Sequence, residues 1–225
     1  MIHRTFRGNE NHFPKLVRMT KLKKALKKRK YTKRYGDMPD HLFVELNYAD
    51  TVNLNSAVVG YVEHTFALND LFDPDVTGVG HQPLGRDEYR ELFSRYQVSE
   101  CKYEVWANQN QSTQSIVGCV PTRRSTALTS RTEAMEHPGS VVKMLGTRNI
   151  ENGIYMTGKI NIENFDRFYT NDLEYGAEFD ASPAKRSFLK IFVADVAGGT
   201  TVNANFIVRL TFKAKVFERR NLLQS

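Results

Sequence analysis

Between residues 206 and 216 the chain sets Phe206, Val208, Leu210, Phe212, Ala214 and Val216 on one parity. Ile207, Arg209, Thr211, Lys213 and Lys215 fall on the other. A period of two sustained over that length describes an extended strand with one face on a core and the other mostly toward water. Antiparallel sheets accept such a division, whereas parallel sheets bury both faces. Similar texture, rich in β-branched and aromatic residues, predicts further strands at about 41–50, 57–68, 97–107, 114–121, 140–147, 153–163 and 187–197. Helical pattern is scarce. Residues 86–93 carry acids in a first turn and Tyr89, Leu92 and Phe93 on one side, and a second short helix is expected over 130–136, stopped by Pro138 and Gly139. Turn chemistry predicts a hairpin at Glu151, Asn152 and Gly153, and another from Ala197 through Gly198, Gly199 and Thr200. These elements make the chain all-β. The leading architecture is a single jelly-roll β-sandwich of eight antiparallel strands in two sheets. An open sandwich of immunoglobulin-like topology is the alternative that pattern alone does not separate.

Charge divides the chain a second way. Residues 1–36 hold 13 Lys or Arg against one acid, Glu10, a net of +12; the other 19 basic and 24 acidic residues give −5. Nine of the 14 positions from 21 to 34 are basic and none is acidic, so self-repulsion is expected to keep this block disordered until a polyanion neutralises it. Leu16, Met19, Leu22 and Leu26 recur at helical spacing, which would give a bound amphipathic helix. Pro14, Gly36 and Pro39 punctuate the segment, and the expected division is a basic arm, 1–38, before a folded domain, 39–225. Lysine and arginine that neutralise phosphates release condensed counterions, giving strong affinity without sequence preference. The candidate phosphate contacts are Lys21, Lys23, Lys24, Lys27, Lys28, Arg29, Lys30, Lys33 and Arg34, with Tyr31 and Tyr35 as stacking groups for unpaired bases. A solubilising tail, a nuclear-localisation signal and a membrane-surface helix are the competing readings of the same block.

Chemistry has few other footholds. The sequence contains no P-loop, no Gly-x-Ser-x-Gly elbow and no His-Glu-x-x-His, and its six histidines stand singly, away from metal-ligand spacing. No catalytic residue, metal or cofactor is expected. Asp70, Asp73 and Asp75 form an acidic group for which turn formation and capping outweigh a calcium site. Gly78, Val79 and Gly80 read as a turn, and the sequon at Asn110, Gln111 and Ser112 has weight only on a secretory route. The first residues lack an apolar signal-peptide core, and no apolar run is long enough to span a membrane, so no membrane partner is expected. Cys101 and Cys119 are expected as buried thiols in a reducing compartment.

One composite pattern is more specific. Asn69, Asp70, Leu71, Phe72, Asp73, Pro74 and Asp75 are followed by Gly80, His81, Gln82, Pro83, Leu84 and Gly85. Arg86, Asp87, Glu88 and Tyr89 come next, and then Tyr96, Gln97 and Val98. This run resembles capsid proteins of the circovirus-like, Rep-encoding circular single-stranded DNA viruses. Glu136, His137, Pro138 and Gly139, the basic N-terminus and the long final strand agree with it in order. The resemblance implies a non-enzymatic coat protein with the arm directed inward. Sixty copies would close an icosahedral shell around single-stranded nucleic acid, DNA before RNA. It also implies residence in the virion, and in the host nucleus during assembly, with the lysine cluster engaging nuclear import. Sixty arms of +12 would neutralise roughly 700 phosphates, while the chain's own gene needs about 675 nucleotides and a replication gene needs more, so mobile cations would supply the rest. Within the motif, Pro83 and Gly85 would fix the helix start and Gln82 would bond across the loop. Two other classes remain. A cellular nucleic-acid-binding module would carry a basic surface on its folded domain, and a carbohydrate-binding or hydrolytic jelly roll would need paired carboxylates or a metal set.

Overall fold

The computed structural model describes residues 39–56, 60–109, 113–146, 153–166, 172–197 and 201–220. Among them are nine strands: β1 (His41–Ser56), β2 (Tyr61–Ala67), β3 (Phe93–Asn108), β4 (Ser115–Thr122), β5 (Val141–Leu145), β6 (Ile154–Asn161), β7 (Gly176–Glu178), β8 (Phe188–Asp195) and β9 (Val202–Arg219). Three short helices accompany them, α1 (Arg86–Leu92), α2 (Arg131–Glu136) and α3 (Ile162–Asp166). The first sheet runs β1-β9-β3-β6, with β7 paired to β3, and the second runs β2-β8-β4-β5. All pairings between these strands are antiparallel. Setting aside the three-residue β7, this is the eight-stranded jelly roll, and the immunoglobulin-like alternative falls away.

The final strand behaves as its period requires. In β9 the even positions from Val202 to Val216 are buried, while Asn205, Ile207, Arg209 and Lys213 are exposed. Those even positions meet Val117, Cys119, Leu189, Ile191 and Val193 from the second sheet in one core. Both cysteines are buried free thiols, and burial raises their pKa values, that of Cys119 to about 12.

Both expected hairpins are corrected. β8 and β9 are consecutive but lie in different sheets, as do β5 and β6. Gly-Gly and Asn-Gly steps reverse a chain equally well into a neighbouring strand or across to the opposite sheet, and local chemistry does not choose between them. The burial of β8 does choose. All eight of its residues are buried, which places it inside a sheet whose two faces are both covered. β3 begins four residues earlier than its alternation indicates because the register shifts between Val98 and Glu100. That bulge moves the inward set from Tyr96 and Val98 to Cys101, Tyr103 and Val105, breaking the parity. β1 likewise continues to Ser56 through Asn53 and Asn55, weak strand formers held by pairing with β9.

Candidate nucleic-acid interface

The arm residues Lys21, Lys23, Lys24, Lys27, Lys28, Arg29, Lys30, Tyr31, Lys33, Arg34 and Tyr35 all lie outside the described residues. What the structure does place is the domain that follows, and its two outer faces differ.

On the first sheet, strand register assembles the outward side chains into rows. Tyr155, Trp106, Ile207 and Thr51 are cross-strand partners in one row. The Trp106 and Tyr155 rings lie 5.2 Å apart, tilted by 40°, and the two residues are each 39% exposed, with Ile207 at 53%. One row away stand Asn108, Asn205 and Asn53, where the Asn53 amide donates to Asn205 Oδ1 at 2.7 Å and to Asn203 Oδ1 at 2.9 Å. On the other side Glu104 receives Lys102 at 2.9 Å and Arg209 at 3.9 Å, and Glu100 receives Lys159 at 2.7 Å and Lys213 at 3.0 Å. These lysines hold the Glu100 and Glu104 carboxyls below their ordinary pKa. Six cations (Arg95, Lys102, Lys159, Arg209, Lys213 and Lys215) face outward here against four acids (Glu45, Glu100, Glu104 and Glu178, the last on β7 opposite Arg95). Residues 37–225, net −5, thus present a face of net +2.

The second sheet hides much of its outer face under its own chain, leaving Met144 exposed on β5. The connection from β4 to β5 carries α2 and lays Leu128 and Ala134 over Val120, Phe192 and Ala194. Gly118 lies directly beneath the Phe192 ring, where a Cβ would come within 2.5 Å of it. Beneath this cover Lys190, 1% exposed, donates to Glu63 at 2.8 Å. Glu63 also accepts from Tyr61 Oη at 2.7 Å and from the Leu128 backbone N–H at 3.2 Å. Ser130 caps α2 by accepting from the Glu133 N–H, and the Glu133 carboxylate accepts from the Thr129 N–H. Those donors, with Arg124, hold the Glu133 pKa at about 2.

The composite motif forms a brace within the chain. Gly85 opens α1 with φ of +82°, a left-handed conformation that glycine adopts without strain. Gln82 donates to the Phe72 carbonyl and accepts from Arg86 at 2.7 Å. The buried Arg86 guanidinium sits between the Phe72 and Phe179 rings, at 5.6 and 5.4 Å. Asp70 Oδ1 accepts from the N–H groups of Phe72 and Asp73 and from Tyr96 Oη. Asp75 serves Thr77 and His64 in the same way. Asp70 and Asp75 therefore tie turns, as expected, and among the described residues no group of three or more His, Cys, Asp or Glu is placed to hold a metal. A cavity of about 360 Å³ near β8 is lined by Arg123, Lys185 and Arg186. Each of these cations already faces a carboxylate, Asp166, Glu174 and Asp70 respectively.

The aromatic row was not legible as a site. Ile207 stands out as an apolar residue on a polar parity, which is the available signal. That Trp106 and Tyr155 flank it depends on pairings between distant strands.

With two sheets in this order, the class defined is a jelly-roll sandwich. Neither a family model nor a curated relative matches the sequence. Among solved structures the chain is similar to the BFDV capsid protein solved as a 60-mer, at 8% identity over 84% of this chain and 100% of that chain, with a TM-score of 0.45. It is also similar to tobacco necrosis virus (13% identity, 83% and 86% covered, TM-score 0.44). A third likeness is to Desmodium yellow mottle tymovirus (12%, 82% and 93%, TM-score 0.43). The fold assignment rests on the strand order of the chain itself.

Proposed function

We propose that this chain is the coat protein of a small icosahedral virus, closing a shell from about 60 copies around single-stranded nucleic acid, with DNA as the genome. One observation carries the reading: a jelly-roll domain of net −4, residues 39–225, follows directly on an arm of net +11, residues 1–38. The domain is compact enough to tile a shell. The arm supplies mobile cations that bind any phosphate backbone, which suits packaging better than sequence readout. The motif from Asn69 to Tyr89 supports the DNA-virus assignment by resemblance, and the lysine cluster is suited to nuclear import before assembly. In this reading the domain is structural and performs no catalysis.

A cellular single-stranded nucleic-acid-binding module is the second reading, and the net +2 outer face of the first sheet favours it, since a basic surface on the domain is what such a module needs. Assembly separates the two. The full chain is expressed, treated with nuclease, sized and imaged by electron microscopy across salt and pH. Uniform round shells are expected. A monomer under all conditions that still binds single strands would replace the first reading with the second.

A further inference from the structure

We propose that the outer face of the first sheet is a second nucleic-acid contact, in which Trp106 and Tyr155 take the face of an unpaired base while Arg209, Lys102 and Lys159 meet the adjoining phosphates. The proposal rests on the packaging reading and adds to it a contact on the folded domain, distinct from the arm.

Three features converge on this face. An exposed tryptophan and tyrosine stand side by side, and base–aromatic stacking accepts every base because each has a π-face. Rows on either side of them supply hydrogen-bonding amides, Asn53 and Asn205, and cations. The local charge is positive although the domain as a whole is acidic, so a polyanion gains attraction here that an average protein surface would not offer. A second copy of the chain is a poorer occupant. Protein interfaces concentrate apolar residues at a centre depleted of charge, whereas here the row of Trp106, Tyr155 and Ile207, and Phe43 farther along β1, stand among six outward cations and four outward acids. The Lys–Glu contacts do not oppose a phosphate. Glu100 holds two lysines and Glu104 a lysine and an arginine, so each carboxylate leaves positive charge over.

Trp106 is the only tryptophan in the chain, so its fluorescence reports this face alone. The full-length protein is titrated with an end-labelled oligothymidine of about 12 nucleotides, with label anisotropy giving total binding and Trp106 emission giving occupancy of the sheet. Inorganic polyphosphate, a polyanion without bases, is titrated in parallel. Expected are quenching that saturates with the anisotropy, no matching quench with polyphosphate, and roughly fivefold or greater loss of the quenching component's affinity in Tyr155→Ala. A saturating anisotropy with unchanged Trp106 emission would assign all binding to the arm, overturning the proposal while leaving packaging intact. Equal quenching by polyphosphate, or quenching by protein concentration alone, would overturn it in favour of charge effects or a second copy. Absence of any oligonucleotide binding would remove the packaging reading as well.

Discussion

The two outer faces of this sandwich solve the same problem in opposite ways. The second sheet has an apolar outer surface at Val120, Phe192 and Ala194 and covers it with the β4–β5 connection, fastened through Glu63 to Leu128. The first sheet keeps an open outer surface of paired charges and amides around the exposed Trp106, Tyr155 and Ile207. A buried ion pair in one face and solvated ladders in the other mean that similar Lys–Glu contacts have very different consequences. Desolvation makes an orphaned buried charge costly, while water and salt screen an exposed one.

The contrast can be broken most strongly at the buried pair. Glu63→Ala strands the Lys190 ammonium and loosens the Leu128 attachment, and is expected to cost about 3–5 kcal/mol in urea unfolding. A loss below 1 kcal/mol would mean that water reaches Lys190. Truncating the cover itself is the next largest change. Leu128→Ala is expected to cost about 2–4 kcal/mol, with amide exchange rising across 123–140 ahead of the core strands. A smaller, pH-dependent effect belongs to the brace. His81 places both ring nitrogens against carbonyls, Nδ1 to Gln82 and Nε2 to Ala49, each at 2.9 Å. Only the imidazolium donates from both, and these two carbonyls, with Asp50 nearby, raise its pKa above 6.5. A raised histidine pKa contributes stability that is fully present below about pH 6.5 and is lost as pH rises through the folded value. The Leu84 amide, bonded to the Asn47 carbonyl, should show an opening equilibrium that grows as pH rises above about 6.5, and His81→Gln should flatten that dependence. Smallest is Glu100→Gln on the exposed ladder, where no resolvable change in the unfolding midpoint is expected. A clear loss there would erase the distinction between the faces.

Much of the fold was legible because β9 and its neighbours repeat with period two, and because Pro83, Gly85 and Ser130 mark helix starts by their own chemistry. Sheet membership was not legible at the Gly-Gly and Asn-Gly turns, since it is decided by which strands lie alongside β8 and β6 far away in sequence. The bulge at Val98 hid the start of β3 for a related reason: one extra residue inverts the parity that identifies a strand. As for the candidate site, the arm's charge was plain from composition, but the Trp106 row exists only through register. Lys190 is a further case. A lysine in the middle of a strand reads as solvent-facing until Glu63, on another strand, appears as its partner.

The central claim is a division of labour, with arm binding and domain enclosing. It is tested most directly by comparing nuclease-protected nucleic acid in particles of the full chain and of a chain lacking residues 1–35. Full-length particles are predicted to show the ultraviolet absorbance ratio of a nucleoprotein. Shortened particles should keep a folded domain and lose most of the protected nucleic acid, holding at most what the outer face of the first sheet retains. Equal protected nucleic acid in both, or a shortened domain that fails to fold, would contradict the account.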